Sequence, residues 1–170
     1  MSPLAGPQWK RLQQKFAEQN RPNTPPERLS RAIAVVPMEG QEGAGIWSLG
    51  FKELGTAVPR TSSLAHDFQA ASGLVAPSLP CYLLLFVGDI HSGAVPPGAT
   101  DPHSRWVLVS FAPQSCSAEV AKLVAANREG LKAGLGADYF VGDMWCTARE
   151  QISLSFYIRQ SDAAKASKAR

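Results

Sequence analysis

Three histidines, three cysteines and one pair of aspartates are the residues of this chain whose types could do chemistry. His91 and His103 fall far apart in one loop, and His66 stands elsewhere. A metal centre draws three or four such ligands at short, regular spacing, and no carboxylate–histidine pattern accompanies these. They read as solvated surface residues. Cys81, Cys116 and Cys146 are odd in number and widely spaced, which argues against a disulfide framework or a zinc site. Cys81 sits in an apolar run and reads as a small buried hydrophobe. Cys146 precedes a predicted helix, a place where a thiolate can be stabilised. No histidine is near it in sequence, so a capping or packing role fits better. Asp138 and Asp143 flank a predicted strand an odd number of positions apart, so they point to opposite faces and form no acid–base pair. There is no G-x-S-x-G elbow and no phosphate-binding loop, and Gly40, Gly43 and Gly45 lack the dinucleotide spacing. The expectation is a protein that is not an enzyme and needs no metal or cofactor.

The elements that would position these residues follow from periodicity. The chain's 170 residues suit one domain, and 45% apolar with 18% charged residues is enough hydrophobic content for a core. The predicted order begins with a helix over 7–19, opened by Pro7, with Trp9, Leu12 and Phe16 on one face. A proline-rich loop leads to a strand over 31–38, a glycine-rich turn over 40–45 and a returning strand over 46–51. Ser63 is the predicted cap of a short helix carrying Leu64, Phe68 and Ala71. Residues 81–88 form a near-continuous apolar run, the mark of a strand buried on both faces. A long loop over 89–104 follows, then a strand over 106–111 ended by Pro113. Ser115 or Ser117 caps a helix over about 117–135, whose stripe is Val120, Val124, Leu131 and Leu135 with Leu123 beside it. Gly134 and Gly136 supply its stop. A strand over 138–145 and a helix over about 147–160 complete the order, with Ile152, Phe156 and either Leu154 or Ile158 inward. Helices crossing an apolar sheet predict an α/β layered domain covered on both faces.

The formal net charge of +3 comes with no basic stripe and no interleaved aromatics, so nucleic acid is not an expected partner. No stretch approaches the roughly 20 apolar residues that span a bilayer, and the N-terminus lacks a signal-peptide core. With reduced cysteines, the expected location is the cytoplasm.

Pro80-Cys81-Tyr82 leading a strand, Trp106 to Pro113, Leu131-Lys132 in the long helix and Arg149-Glu150-Gln151-Ile152-Ser153-Leu154 occur in one order. In that order they resemble the actin-depolymerising factor homology family (cofilin-like), and within it the N-terminal repeat of the twinfilin type. The resemblance implies a single domain over 1–162 with a central mixed sheet of about five strands between helices, a gelsolin-like fold, and a basic tail over 163–170. It implies an actin-binding protein of the cytoskeleton, monomeric itself, that regulates filament turnover. The long helix would enter a groove on actin, as amphipathic helices do in helix-in-groove recognition. By position, the inserting ridge is Ala118, Glu119, Lys122, Ala126 and Glu129, with basic Arg128 and Lys132 further along. The N-terminal segment, Ser2 and Leu4, adds contacts, and Ser2 matches a serine whose phosphorylation blocks binding in relatives.

The chain departs from the family at three positions of this helix. Glu119 and Ala121 stand where basic residues are usual, and Lys122 where methionine is usual. The loop over 89–104 carries no lysine, whereas filament binders often carry several there. The expected partner is therefore actin, with monomers favoured over filaments. The alternative is a diverged scaffold of the same fold that binds the actin-nucleating complex or another protein.

Overall fold

In a computed structural model, residues 7–21, 25, 29–37, 49–51, 63–87 and 105–160 are described. Helix α1 is Pro7–Gln19, β1 is Ala32–Pro37, β2 is Leu49–Phe51 and α2 is Leu64–Ser72. Strands β3 (Cys81–Phe86) and β4 (Trp106–Phe111) precede α3 (Ala118–Leu135) and β5 (Phe140–Cys146). Residues 154–160 are helical and form α4 as far as it is described. The sheet order is β2-β1-β3-β4-β5. Neighbours are antiparallel except β4 and β5, which run parallel. A parallel neighbour needs a long crossover, and α3 is that crossover. Among the described residues the sheet is thus mixed and five-stranded, as the resemblance implies.

Alternation sorts the side chains of the sheet into two cores. Ala32, Ala34, Leu83, Leu85, Val107 and Val109 pack with Phe68 of α2 and with Ile152 and Tyr157 near the C-terminus. Ile33, Val35, Tyr82, Leu84, Trp106 and Leu108 pack with Leu12 and Phe16 of α1 and with Val124 and Leu131 of α3. All six residues of β3 are buried, in accord with its unbroken apolar run. Phe16 is the pivot of the α1 side, 5.0 Å from the Trp106 ring and stacked at 5.7 Å on Phe140. The Trp106 indole donates to Asn20 Oδ1 at 2.8 Å, so the end of α1 is fixed over β4.

The predicted ends of α1, β4 and α3 hold to within a residue. Ser63 caps α2, and of the two candidate serines it is Ser117 that caps α3, its hydroxyl accepting from Val120 N. Gly134 lies inside α3, and Gly136 stops it. Gly136 has φ +116°, and a Cβ there would stand 2.8 Å from the Tyr139 ring, so only glycine fits this exit.

β1 begins one residue later than predicted and β3 ends at Phe86, and two elements differ further from expectation. The strand predicted over 138–145 is a 3-10 turn, Ala137–Tyr139, followed by β5. Asp138 lies in that turn and Asp143 lies within β5, so the two do not flank one strand. The helix predicted over 147–160 is broken into a 3-10 turn, Arg149–Gln151, and α4. The cause is local side-chain competition for the backbone. Gln151 Oε1 accepts from the amides of Thr147 and Ala148, and Ser153 Oγ accepts from Phe156 N and starts a new helix. Tyr157 is buried in consequence, Leu154 and Phe156 are partly covered, and Ile158 is exposed. The turn at 40–45, the loop at 89–104 and the tail at 163–170 lie outside the described residues, as does the side chain of Trp9.

Candidate functional site

Helix α3 has an inner stripe that folds and an outer ridge that does not. Val124 and Leu131 are fully buried, and Val120, Leu123 and Leu135 pack at their sides. Each fully buried aliphatic side chain is worth roughly 1.5–3 kcal/mol, so this stripe suffices to hold the helix on the sheet. A buried hydrogen bond adds to it from below: Tyr82 Oη donates to Val124 O. Burial pushes the Tyr82 phenol up from its ordinary range, and the nearby Arg128 charge only partly opposes this. The hydroxyl therefore stays protonated and available as a donor. At the far end, Gln13 of α1 donates to Gly134 O at 3.1 Å.

The outer ridge is open. Ala118, Glu119, Lys122, Ala126 and Glu129 are all exposed. Their spacing places them along one side of the helix, opposite the buried stripe. The other two predicted residues behave differently. Lys132 is 14% exposed and sits between two carboxylates, 2.8 Å from Asp143 Oδ2 and 3.2 Å from Glu129 Oε1. Arg128 is partly covered, with Nε 3.7 Å from Glu129 Oε1. Sequence reasoning missed Asp143 and Tyr82, because each meets α3 only once the sheet is assembled. Ser2 and Leu4 lie outside the described residues.

Charge on this face is balanced. Lys122, Arg128 and Lys132 are matched by Glu119, Glu129 and Asp143. A balanced face does not steer a charged partner from a distance as a basic stripe does.

Among the described residues, those considered for catalysis are not assembled into a site. Burial pushes the Cys146 thiol up to about 12, and burial together with Cys146 pushes Cys81 up to about 12, the reverse of an activated thiolate. His66 is exposed on α2, while His91 and His103 are outside the described residues. A groove of about 680 Å³ runs between α2 and the C-terminal segment, lined by Gln69, Ser72, Arg149, Ser153 and Ile158 among others. Neither Cys146 nor His66 lines it. Among the described residues no group of three or more histidines, cysteines or carboxylates could hold a metal ion, and no helix is long and apolar enough to cross a membrane.

No protein-family model and no curated protein sequence matches the chain. Solved structures do. A twinfilin from Eh aligns with TM-score 0.64 at 15% identity, over 90% of this chain and 95% of its own. The cofilin homology domain of a yeast actin-binding protein aligns with TM-score 0.54 at 16% identity, over 86% and 87%. The glia maturation factor of Caenorhabditis elegans aligns with TM-score 0.52 at 13% identity, over 88% and 91%.

Proposed function

Taking as premise that the chain has the actin-depolymerising factor homology fold, we propose that it is an actin-binding protein of the cytoskeleton whose contact surface is the outer ridge of α3. The observation that carries this reading is the division of α3 into a buried stripe and a fully open ridge. Ala118, Glu119, Lys122, Ala126 and Glu129 have no role in the core, and the helix beneath them is fixed by packing and by Tyr82. A helix already held on the sheet suits insertion into a groove, since its backbone need not be ordered on docking, and Ala118 and Ala126 let the partner approach closely between the charged side chains. Monomers are the preferred form, an inference supported by the lysine-free sequence over 89–104. The protein acts as a monomer in the cytoplasm, and phosphate on Ser2 opposes binding.

Titration into fluorescently labelled actin monomers tests the proposal, alongside co-sedimentation with filaments. Saturable binding to monomers, with slower filament assembly, is the expected result. No binding and no change in assembly or nucleotide exchange at high micromolar protein would defeat it.

A second reading has its own support. Glu119 on the ridge, and the closing of Lys132 by Asp143, leave the face without the net positive charge that an acidic actin surface favours. On that reading the same ridge binds the actin-nucleating complex. Direct binding of the purified complex in the absence of actin separates the two.

A further inference from the structure

Strand β5 is the last strand on its side of the sheet, and a side chain closes its outer edge at one residue. Trp145 N donates to Gln160 Oε1 at 3.2 Å, and Gln160 Nε2 donates to Trp145 O at 2.9 Å. One carboxamide of α4 therefore supplies both partners that a residue of a neighbouring strand would supply. Trp145 directs its backbone away from β4, and by alternation so does Asp143, two positions back. The N–H and C=O of Asp143 have no hydrogen-bond partner among the described residues. Val141 is the extra residue of a bulge, so the regular edge ends there. Gly142 lies inside this edge with no positive φ, and a Cβ on it would meet nothing within 4 Å. Neither a turn nor crowding demands glycine at that position, whereas close approach of another backbone is a recurrent reason for one.

We infer that Gln160 is an edge cap that keeps the chain monomeric, and that the strand-addition site it closes takes β5 of a second copy of this chain. Self-complementarity commits the site to that occupant. With Gln160 in place, Asp143 is the one regular outward residue left open among the described residues of β5. Two copies could then pair only Asp143 against Asp143, and like charges directly opposite are destabilising. With Gln160 withdrawn, Trp145 opens as well. Two β5 strands can then run antiparallel about a two-fold axis at Met144. Each Asp143 stands opposite Trp145 of the second copy, and each such pair exchanges both N–H···O bonds. The contact is isologous and closes on itself, so it stops at a dimer. Gln160 also ties α4 to β5. That tie alone would affect melting and the exchange of the Trp145 amide, but not association, so association is the readout.

The experiment compares sedimentation and amide hydrogen exchange of the full chain, native, with Gln160→Ala, and with Gln160→Ala and Asp143→Pro together. Proline removes the outward N–H of residue 143, which β4 does not use, and is tolerated on an edge strand. Circular dichroism and thermal melts confirm that each is folded; if Gln160→Ala is not, Gln160→Glu, which keeps the acceptor and loses the donor, takes its place. The native chain is expected to be monomeric with its Trp145 amide protected. Gln160→Ala is expected to shift toward dimer mass as concentration rises, with the Asp143 amide newly protected, and Asp143→Pro to return it to monomer. A native dimer overturns the inference, and so does a monomeric Gln160→Ala, whether its Trp145 amide exchanges fast or stays protected. A dimer that survives Asp143→Pro lies elsewhere on the surface and overturns it too. If Gln160→Ala stays monomeric but binds an added peptide of residues 139–147, the edge accepts a free strand and the second-copy assignment falls.

Discussion

Two ion-pair sites in this molecule use the same chemistry and do opposite work. Arg31 and Asp67 join the start of β1 to α2, Nε to Oδ2 at 2.8 Å, with both side chains 1% exposed. Arg31 also donates to Phe86 O at 3.0 Å and lies over the Phe86 ring. Lys132 and Asp143 join α3 to β5 at the same 2.8 Å, but with 14% and 31% of the side chain exposed. Distance does not distinguish them; water does. A buried charge that loses its carboxylate partner cannot be rehydrated in place, whereas a partly exposed one can. The first pair therefore governs folding and the second governs only what the surface presents.

The sharpest way to break that contrast is to remove one carboxylate from each site. Asp67→Ala removes the carboxylate that Arg31 Nε meets in this buried pair, and a loss of about 3–5 kcal/mol in denaturant unfolding is expected. A loss under about 1 kcal/mol would mean that Arg31 finds water or another partner, and the contrast would collapse.

The comparison extends to groups buried neutral. Cys81 and Cys146 keep their protons in the folded state up to about 12, whereas their ordinary value is 9.0. The unfolded chain releases those protons first as pH rises. The folded state then binds more protons, and stability falls with pH. The contribution is fully present below about pH 9 and is lost between there and about pH 12, at no more than about 1.4 kcal/mol per pH unit for each thiol. Denaturant midpoints measured between pH 7 and pH 11 check this. Thiol reagents at pH 8 are expected to label the partly exposed Cys116 and to spare the other two. Prompt labelling of Cys81 in the native protein would contradict its burial.

How much of this was legible in the sequence depends on the range of the interaction. The ends of α1 and α3 and the span of β4 follow from periodicity and punctuation, because Pro7, Ser117, Pro113 and Gly136 act on their own neighbours. The ridge was legible for the same reason: once Val124 and Leu131 are inward, Lys122 and Ala126 must be outward. Both ion-pair sites were not. Lys132 and Asp143 meet only because the chain after α3 returns parallel to β4, and Arg31 meets Asp67 only when α2 lies across the sheet. The break at Ser153 was hidden for a different reason. A serine within an apolar stripe reads equally as helix interior or cap, and the Gln151 side chain decides between them.

The smallest expected effect lies at the second site and sharpens the comparison most finely. Asp143→Asn removes one carboxylate beside Lys132 and leaves Glu129 at 3.2 Å as its other partner. Both side chains can reach water, so the stability change is expected to stay below about 1 kcal/mol. Binding should respond in a different currency. The native face is balanced, so its affinity for actin monomers should change little between low and physiological salt. The variant face carries one uncompensated cation, so its affinity should fall more steeply as salt rises, because exposed charges are screened over about 10 Å at 0.1 M. An unchanged salt slope would show that Lys132 lies away from the partner and that the ridge contacts it through its N-terminal turns. A steeper slope with unchanged stability would place Lys132 within reach of the partner's charges and confirm that Asp143 masks it.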